Sequence, residues 1–115
     1  MIKIYHNPRC RKSREGLEVL QNLTSDFEII KYMDEPLTYL QILELLKKLD
    51  LKPIELVRTN EKIWKEEFKD QDLTDEQIVQ AMENYPRLIE RPIVVKDDKA
   101  VIGRPSDSIP GLIKA

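Results

Sequence analysis

The chain is predicted to fold as an α/β protein, with a mixed sheet of four strands and a helical segment inserted before the closing half of that sheet. Three observations predict it. Apolar residues alternate or run together at two places near the start and two near the end, as strands require. Between them, from about 36 to 86, apolar residues recur at helical spacing behind two capping boxes. With 115 residues, 41% of them hydrophobic and 35% charged, the chain fits one domain spanning residues 1–115 around a single core.

Ile2 and Ile4 alternate with Lys3 and Tyr5, so the chain opens with a strand. Leu17, Leu20 and Leu23 follow at helical spacing and predict a helix over about 11–23. Phe27-Glu28-Ile29-Ile30-Lys31-Tyr32 reads as a second strand. So short a strand–helix–strand unit makes the two strands parallel, joined by a right-handed crossover. Thr38 with Gln41, and Thr74 with Gln77, have the spacing in which a hydroxyl caps an early N–H and a glutamine reaches back. The first opens a helix expected to bury Ile42, Leu43, Leu45, Leu46 and Leu49, and the second one with Ile78, Val79 and Met82. After Pro53, residues 54–69 read as one or two short helices with Trp64 and Phe68 a turn apart. Pro92-Ile93-Val94-Val95 and Ala100-Val101-Ile102 flank Lys96-Asp97-Asp98-Lys99 as a hairpin. A short terminal helix is expected from near Ser106, weakened by Pro110 and Gly111.

The net charge of −2 conceals an asymmetry, because residues 1–14 hold Lys3, Arg9, Arg11, Lys12 and Arg14 and no acid, leaving −7 for the remainder. A nucleic-acid binder spreads its basic residues over the whole domain, so no nucleic-acid partner is expected. No run approaches the ~20 apolar residues that span a bilayer. Charges from Lys3 onward interrupt any secretory apolar region, so no membrane association is expected. A lone thiol forms no internal disulfide, which points to a reducing cytoplasm. One Cys and one His cannot complete a tetrahedral metal site. Without GxGxxG or a Walker motif, no bound cofactor is expected either.

Cys10 is the only cysteine, and it lies in the polar, cationic loop His6-Asn7-Pro8-Arg9-Cys10-Arg11-Lys12-Ser13-Arg14 at the predicted start of the first helix. Unpaired N–H groups and the macrodipole at a helix N-terminus favour both a thiolate and a bound anion. Together with cationic neighbours they lower a thiol pKa from ~8.5 into the range where the nucleophilic form exists at neutral pH. His6 either favours that thiolate or is a solvated strand-end histidine. Ser13, about one helical turn on, hydrogen-bonds either the sulfur or the backbone. Arg58, Arg91 and Arg104 each stand at the end of an element, and guanidinium supplies the planar, permanently charged donors an oxyanion wants. Pro92 suits a strand start, with a cis Arg91-Pro92 bond open.

Taken in order, His6-Asn7-Pro8-x-Cys10-x-x-Ser13-Arg14, Tyr32 to Pro36, Arg58-Thr59-Asn60-Glu61, Arg91-Pro92-Ile93-Val94-Val95 and Gly103-Arg104-Pro105 give the chain a specific likeness. Over essentially its whole length it resembles the ArsC-type, glutaredoxin-coupled arsenate reductase family, whose fold is thioredoxin-like. The resemblance implies that Cys10 is the catalytic nucleophile, that Arg58, Arg91 and Arg104 hold the oxyanion, and that Pro92 is a cis-proline. It implies arsenate as substrate, glutathione as co-substrate and glutaredoxin as the partner that reduces Cys10 again. Arg11-Lys12 departs from the small, neutral residues that well-characterised reductases of this type carry there. Two other functions compete: a regulator resembling the Spx proteins that bind RNA polymerase, and a glutathione-dependent thiol transferase. With Ser13 at the second position of the motif, a Cys-x-x-Cys disulfide switch is unavailable.

Overall fold

The structure, a computed structural model, describes residues 1–115. Two compact units divide the chain, residues 1–35 with 91–115 forming one and residues 36–90 the other.

The first unit is a four-stranded sheet with two helices. Strands β1 (Ile2–Tyr5), β2 (Glu28–Ile30), β3 (Ile93–Lys96) and β4 (Lys99–Ile102) lie in the order β2-β1-β3-β4. β1 runs parallel to β2, with Ile4 opposite Ile29, and antiparallel to β3, with Ile4 opposite Val94. The hairpin turns on Asp97, whose φ of 57° lies in the left-handed region that aspartate tolerates better than most residues. Helix α1 (Arg11–Leu23) follows the loop after β1, and α5 (Ser108–Lys114) closes the chain. Ile4 and Val94 from the sheet meet Leu20 of α1 and Ile109 and Leu112 of α5 in one core. Each such aliphatic side chain stabilises by about 1.5–3 kcal/mol when withdrawn from water.

The second unit is helical. Its helices are α2 (Tyr39–Leu49), α3 (Lys62–Glu67) and α4 (Asp75–Asn84), with one 3-10 turn, Pro53–Leu56, between α2 and α3 and another, Pro86–Leu88, after α4. Both predicted capping boxes are closed: Thr38 accepts from the Gln41 N–H and Thr74 from the Gln77 N–H, each glutamine returning the bond. α2 ends at Asp50, again in the left-handed region with φ 56°. Ile42, Leu45 and Leu46 of α2 are buried, as are Val79 and Met82 of α4. Trp64 stacks on Phe68 at 5.5 Å, and Phe68 meets the edge of Tyr85 at 5.9 Å.

Several expectations needed correction. β2 is three residues rather than six, because only Glu28 to Ile30 find partners on β1; the chain then turns, with the Asp34 and Glu35 N–H groups both donating to Lys31 O. Leu43 stays 39% exposed, since it falls one position beyond the buried stripe of α2. The terminal helix starts at Ser108, not Ser106, and Pro110 does not break it. Proline there occupies the first turn, where its missing N–H has no helical partner to lose.

Candidate functional site

The loop between β1 and α1 is built by local hydrogen bonds. Asn7 closes it twice: its carbonyl accepts from the Cys10 N–H at 3.0 Å and its Oδ1 from the Arg9 N–H at 3.1 Å. Proline at position 8 pre-sets the turn between them. The Arg14 N–H then donates to Cys10 O at 3.0 Å, the first helical bond, so Cys10 is the N-cap of α1 with extended backbone angles. Arg14 also reaches back with Nη1 to Pro8 O at 2.9 Å, fastening the helix to its own approach.

Cys10 is half-buried, and its sulfur closes no cap hydrogen bond of standard geometry. Burial alone pushes the thiol up. The Ser13 N–H, the Arg91 guanidinium by hydrogen bond and by charge, and the Lys12 N–H together outweigh that and hold its pKa below the ordinary thiol value. The physical cause is the predicted one, a helix N-terminus beside a cation. Which cation was not predictable: it is the buried Arg91, 81 residues downstream, rather than the exposed charges adjacent to Cys10 in sequence.

Ser13 and His6 pair with each other. Ser13 Oγ lies 2.7 Å from His6 Nδ1 and accepts from the Asn7 N–H at 3.0 Å. The serine serves the sulfur through its backbone, and its hydroxyl serves the loop. Burial lowers the His6 pKa below 6.5, assisted by Lys31 and Arg14 and opposed by a hydrogen bond with the Ser13 backbone. The ring is therefore neutral at pH 7 and supplies no positive charge to the thiolate.

Arg91 and Arg104 stand on neighbouring loops. Both Arg91-Pro92 and Arg104-Pro105 are cis; only the first was anticipated. The Gly103 N–H donates to Pro92 O at 2.8 Å, which ties the residue before Arg104 to the residue after Arg91. A Cβ added to Gly103 would lie 2.9 Å from Ile109 Cδ1 and 3.1 Å from Pro92 Cγ, so a side chain there would have to displace Ile109 or Pro92. Arg104 Nη1 is buried with no hydrogen-bond partner in the chain. A buried donor left unmade costs about 1–3 kcal/mol, so such an atom points to a missing acceptor.

Arg58 belongs to the helical unit. It follows a short rung in which its N–H donates to Leu88 O and the Glu90 N–H donates to Leu56 O. Its Nη1 meets Glu61 at 2.9 Å and its Nε meets Glu90 at 3.3 Å, with only 14% of the side chain exposed. Two carboxylates thus compensate its charge. The sequence places Asn7 and Gly103 in its motifs without reporting what they do here, the two bonds that close the Cys10 loop and the close approach to Pro92 and Ile109. No three His, Cys, Asp or Glu side chains gather closely enough to hold a metal ion, and no helix is long and apolar enough to cross a membrane.

Comparison with known proteins gives a consistent picture. The sequence model of the ArsC family matches residues 5–112. The chain is 43% identical over 110 residues to the Escherichia coli (strain K12) "Uncharacterized protein YfgD", covering 94% of this chain and 92% of that protein. It is 35% identical over 114 residues to an arsenate reductase of Neisseria meningitidis serogroup A, covering 97% of each. The solved structure of an arsenate reductase from Vibrio cholerae superposes with a TM-score of 0.91 at 36% identity, over 96% of each chain.

Proposed function

Because the chain belongs to the ArsC family, with the thioredoxin-like α/β fold of its arsenate reductase neighbours, we propose that it reduces arsenate to arsenite, drawing electrons from glutathione and glutaredoxin. The observation that carries this reading is a thiol at the N-terminus of α1 whose ionised form is favoured by the Arg91 guanidinium and two backbone N–H groups.

The chemistry runs in three steps. The Cys10 thiolate attacks arsenic, an S–As bond forms, and an oxygen leaves as water once protonated. Glutathione then attacks the Cys10 sulfur. The S–As bond breaks with its electron pair staying on arsenic, so As(V) departs as As(III) and a Cys10–glutathione disulfide remains. Glutaredoxin reduces that disulfide. A chain with one thiol needs both outside thiols. Arg91 favours the nucleophile, and Arg104, with its unpartnered buried Nη1, is suited to neutralise the oxyanion as charge builds. Arg58 is the third arginine of the proposed set; with Nη1 and Nε engaged by Glu61 and Glu90, it contributes less than Arg104.

The test is NADPH consumption with glutathione, glutathione reductase and glutaredoxin present. Arsenate-dependent turnover that vanishes in Cys10→Ser is expected. Thiol exchange without arsenate dependence would instead make the protein a thiol transferase. No turnover, with capture of RNA polymerase, would make it a regulator.

A further inference from the structure

Four cations crowd the residues from Arg9 to Glu15, namely Arg9, Arg11, Lys12 and Arg14, against the single carboxylate of Glu15. They divide by direction. Arg14 turns back onto Pro8 O. Arg11 and Lys12 point outward, 83% and 57% exposed, and share Glu15 at 3.2 and 3.7 Å. Arg9 is exposed at the turn. Three outward cations therefore bracket Cys10 in sequence with one counter-charge among them. None of their side chains stabilises the thiolate, which leans on backbone N–H groups and on Arg91. Charges this exposed hold one small anion only weakly. A macromolecule presenting several carboxylates sums such contributions and gains association rate, on the order of 10–1000-fold at low salt.

We propose that Arg9, Arg11 and Lys12 form a docking collar for a reductant protein whose reactive cysteine is ringed by acidic side chains. The collar rests on the reductase reading in one respect, that Cys10 ends a turnover as a disulfide with glutathione. In the docked pair the partner thiolate attacks the glutathione sulfur. A new S–S bond joins partner and glutathione, the old one breaks, and Cys10 leaves as its stabilised thiolate with the electron pair. No other reactant is needed.

The experiment starts from Cys10 glutathionylated directly with oxidised glutathione, in the absence of arsenate. Failure of the reductase reading shows in the NADPH assay and leaves this one intact. Intact-mass spectrometry follows loss of the adduct to three thiols: a cysteine peptide flanked by glutamates, the same peptide flanked by lysines, and 3-mercaptopropionate. Arg9→Gln with Arg11→Gln and Lys12→Gln is expected to slow the glutamate peptide about tenfold at low salt, with the difference fading at high salt. The lysine peptide should react faster with the variant, and 3-mercaptopropionate should change less than about twofold. Equal rates for variant and wild type with the glutamate peptide overturn the collar. An equal loss with 3-mercaptopropionate overturns it in favour of a small anionic thiol. A shifted pH midpoint of iodoacetamide alkylation in the variant also overturns it, because the cations would then serve the sulfur.

Discussion

The imidazole of His6 and the hydroxyl of Ser13 meet at 2.7 Å, and both residues are nearly withdrawn from solvent. The pair fastens the end of β1 to the first turn of α1, and the Asn7 N–H donates to the same hydroxyl. The loop that carries Cys10 is thus held from below by one buried oxygen.

Ser13→Ala removes that oxygen and strands both of its partners. A loss of about 2 kcal/mol or more in unfolding free energy is expected, since each buried polar group left unsatisfied costs ~1–3 kcal/mol. Urea denaturation measures it, and an unchanged midpoint would mean that the pair contributes nothing to stability.

The same pair gives stability a pH dependence of definite sign. Burial, Lys31 and Arg14 hold the His6 pKa below 6.5, so just below that pH the unfolded chain binds a proton that the folded chain refuses. This contribution is complete above the unfolded pKa and is lost as pH falls beneath it, at up to about 1.4 kcal/mol per pH unit for one proton. Urea midpoints compared at about pH 7.5 and about pH 5.5 should fall in the wild type and fall less in His6→Gln.

Cys10 should alkylate with iodoacetamide at a midpoint below the ~8.5 of a free thiol. Arg91→Met, which keeps most of the buried volume and removes the charge, should raise that midpoint. If it stays put, the guanidinium is not what favours the thiolate.

Arg104→Met separates substrate binding from thiol activation. Its alkylation profile should match the wild type, while the arsenate KM rises about 10–100-fold, the range for losing a charge-assisted hydrogen bond worth ~1.5–3 kcal/mol. Arg58→Met should raise KM less, given the two carboxylates already on Arg58.

Gly103→Ala forces a methyl against Ile109 and Pro92, at 2.9 and 3.1 Å before relaxation. A destabilisation of about 1–3 kcal/mol is expected from such overpacking, read from urea denaturation.

Local physics explains what the sequence revealed. α1 has the bounds the leucine spacing predicts, and both capping boxes close, because each depends on residues within one or two turns. What escaped depends on distant partners. β2 pairs with β1 only from Glu28 to Ile30, and no propensity at Phe27 or Tyr32 reports that. The charge beside the sulfur comes from Arg91, although Lys3, Arg9, Arg11, Lys12 and Arg14 all lie within seven residues of Cys10. His6 is neutral because of its burial and because Lys31 lies near it, neither of which its neighbours in sequence announce. The carboxylates on Arg58 were in plain view at Glu61 and Glu90, but their convergence requires the rung that brings Glu90 back beside Leu56.

The hydrogen bond from Gly103 to the Pro92 carbonyl makes one clasp of the two loops bearing Arg91 and Arg104. Sliding either backbone to suit a larger or smaller guest drags its companion, and with it the charge that keeps the sulfur reactive. Selectivity in this scaffold is therefore free to evolve by exchanging side chains on a fixed frame, while shifts of the frame itself carry a penalty in nucleophilicity.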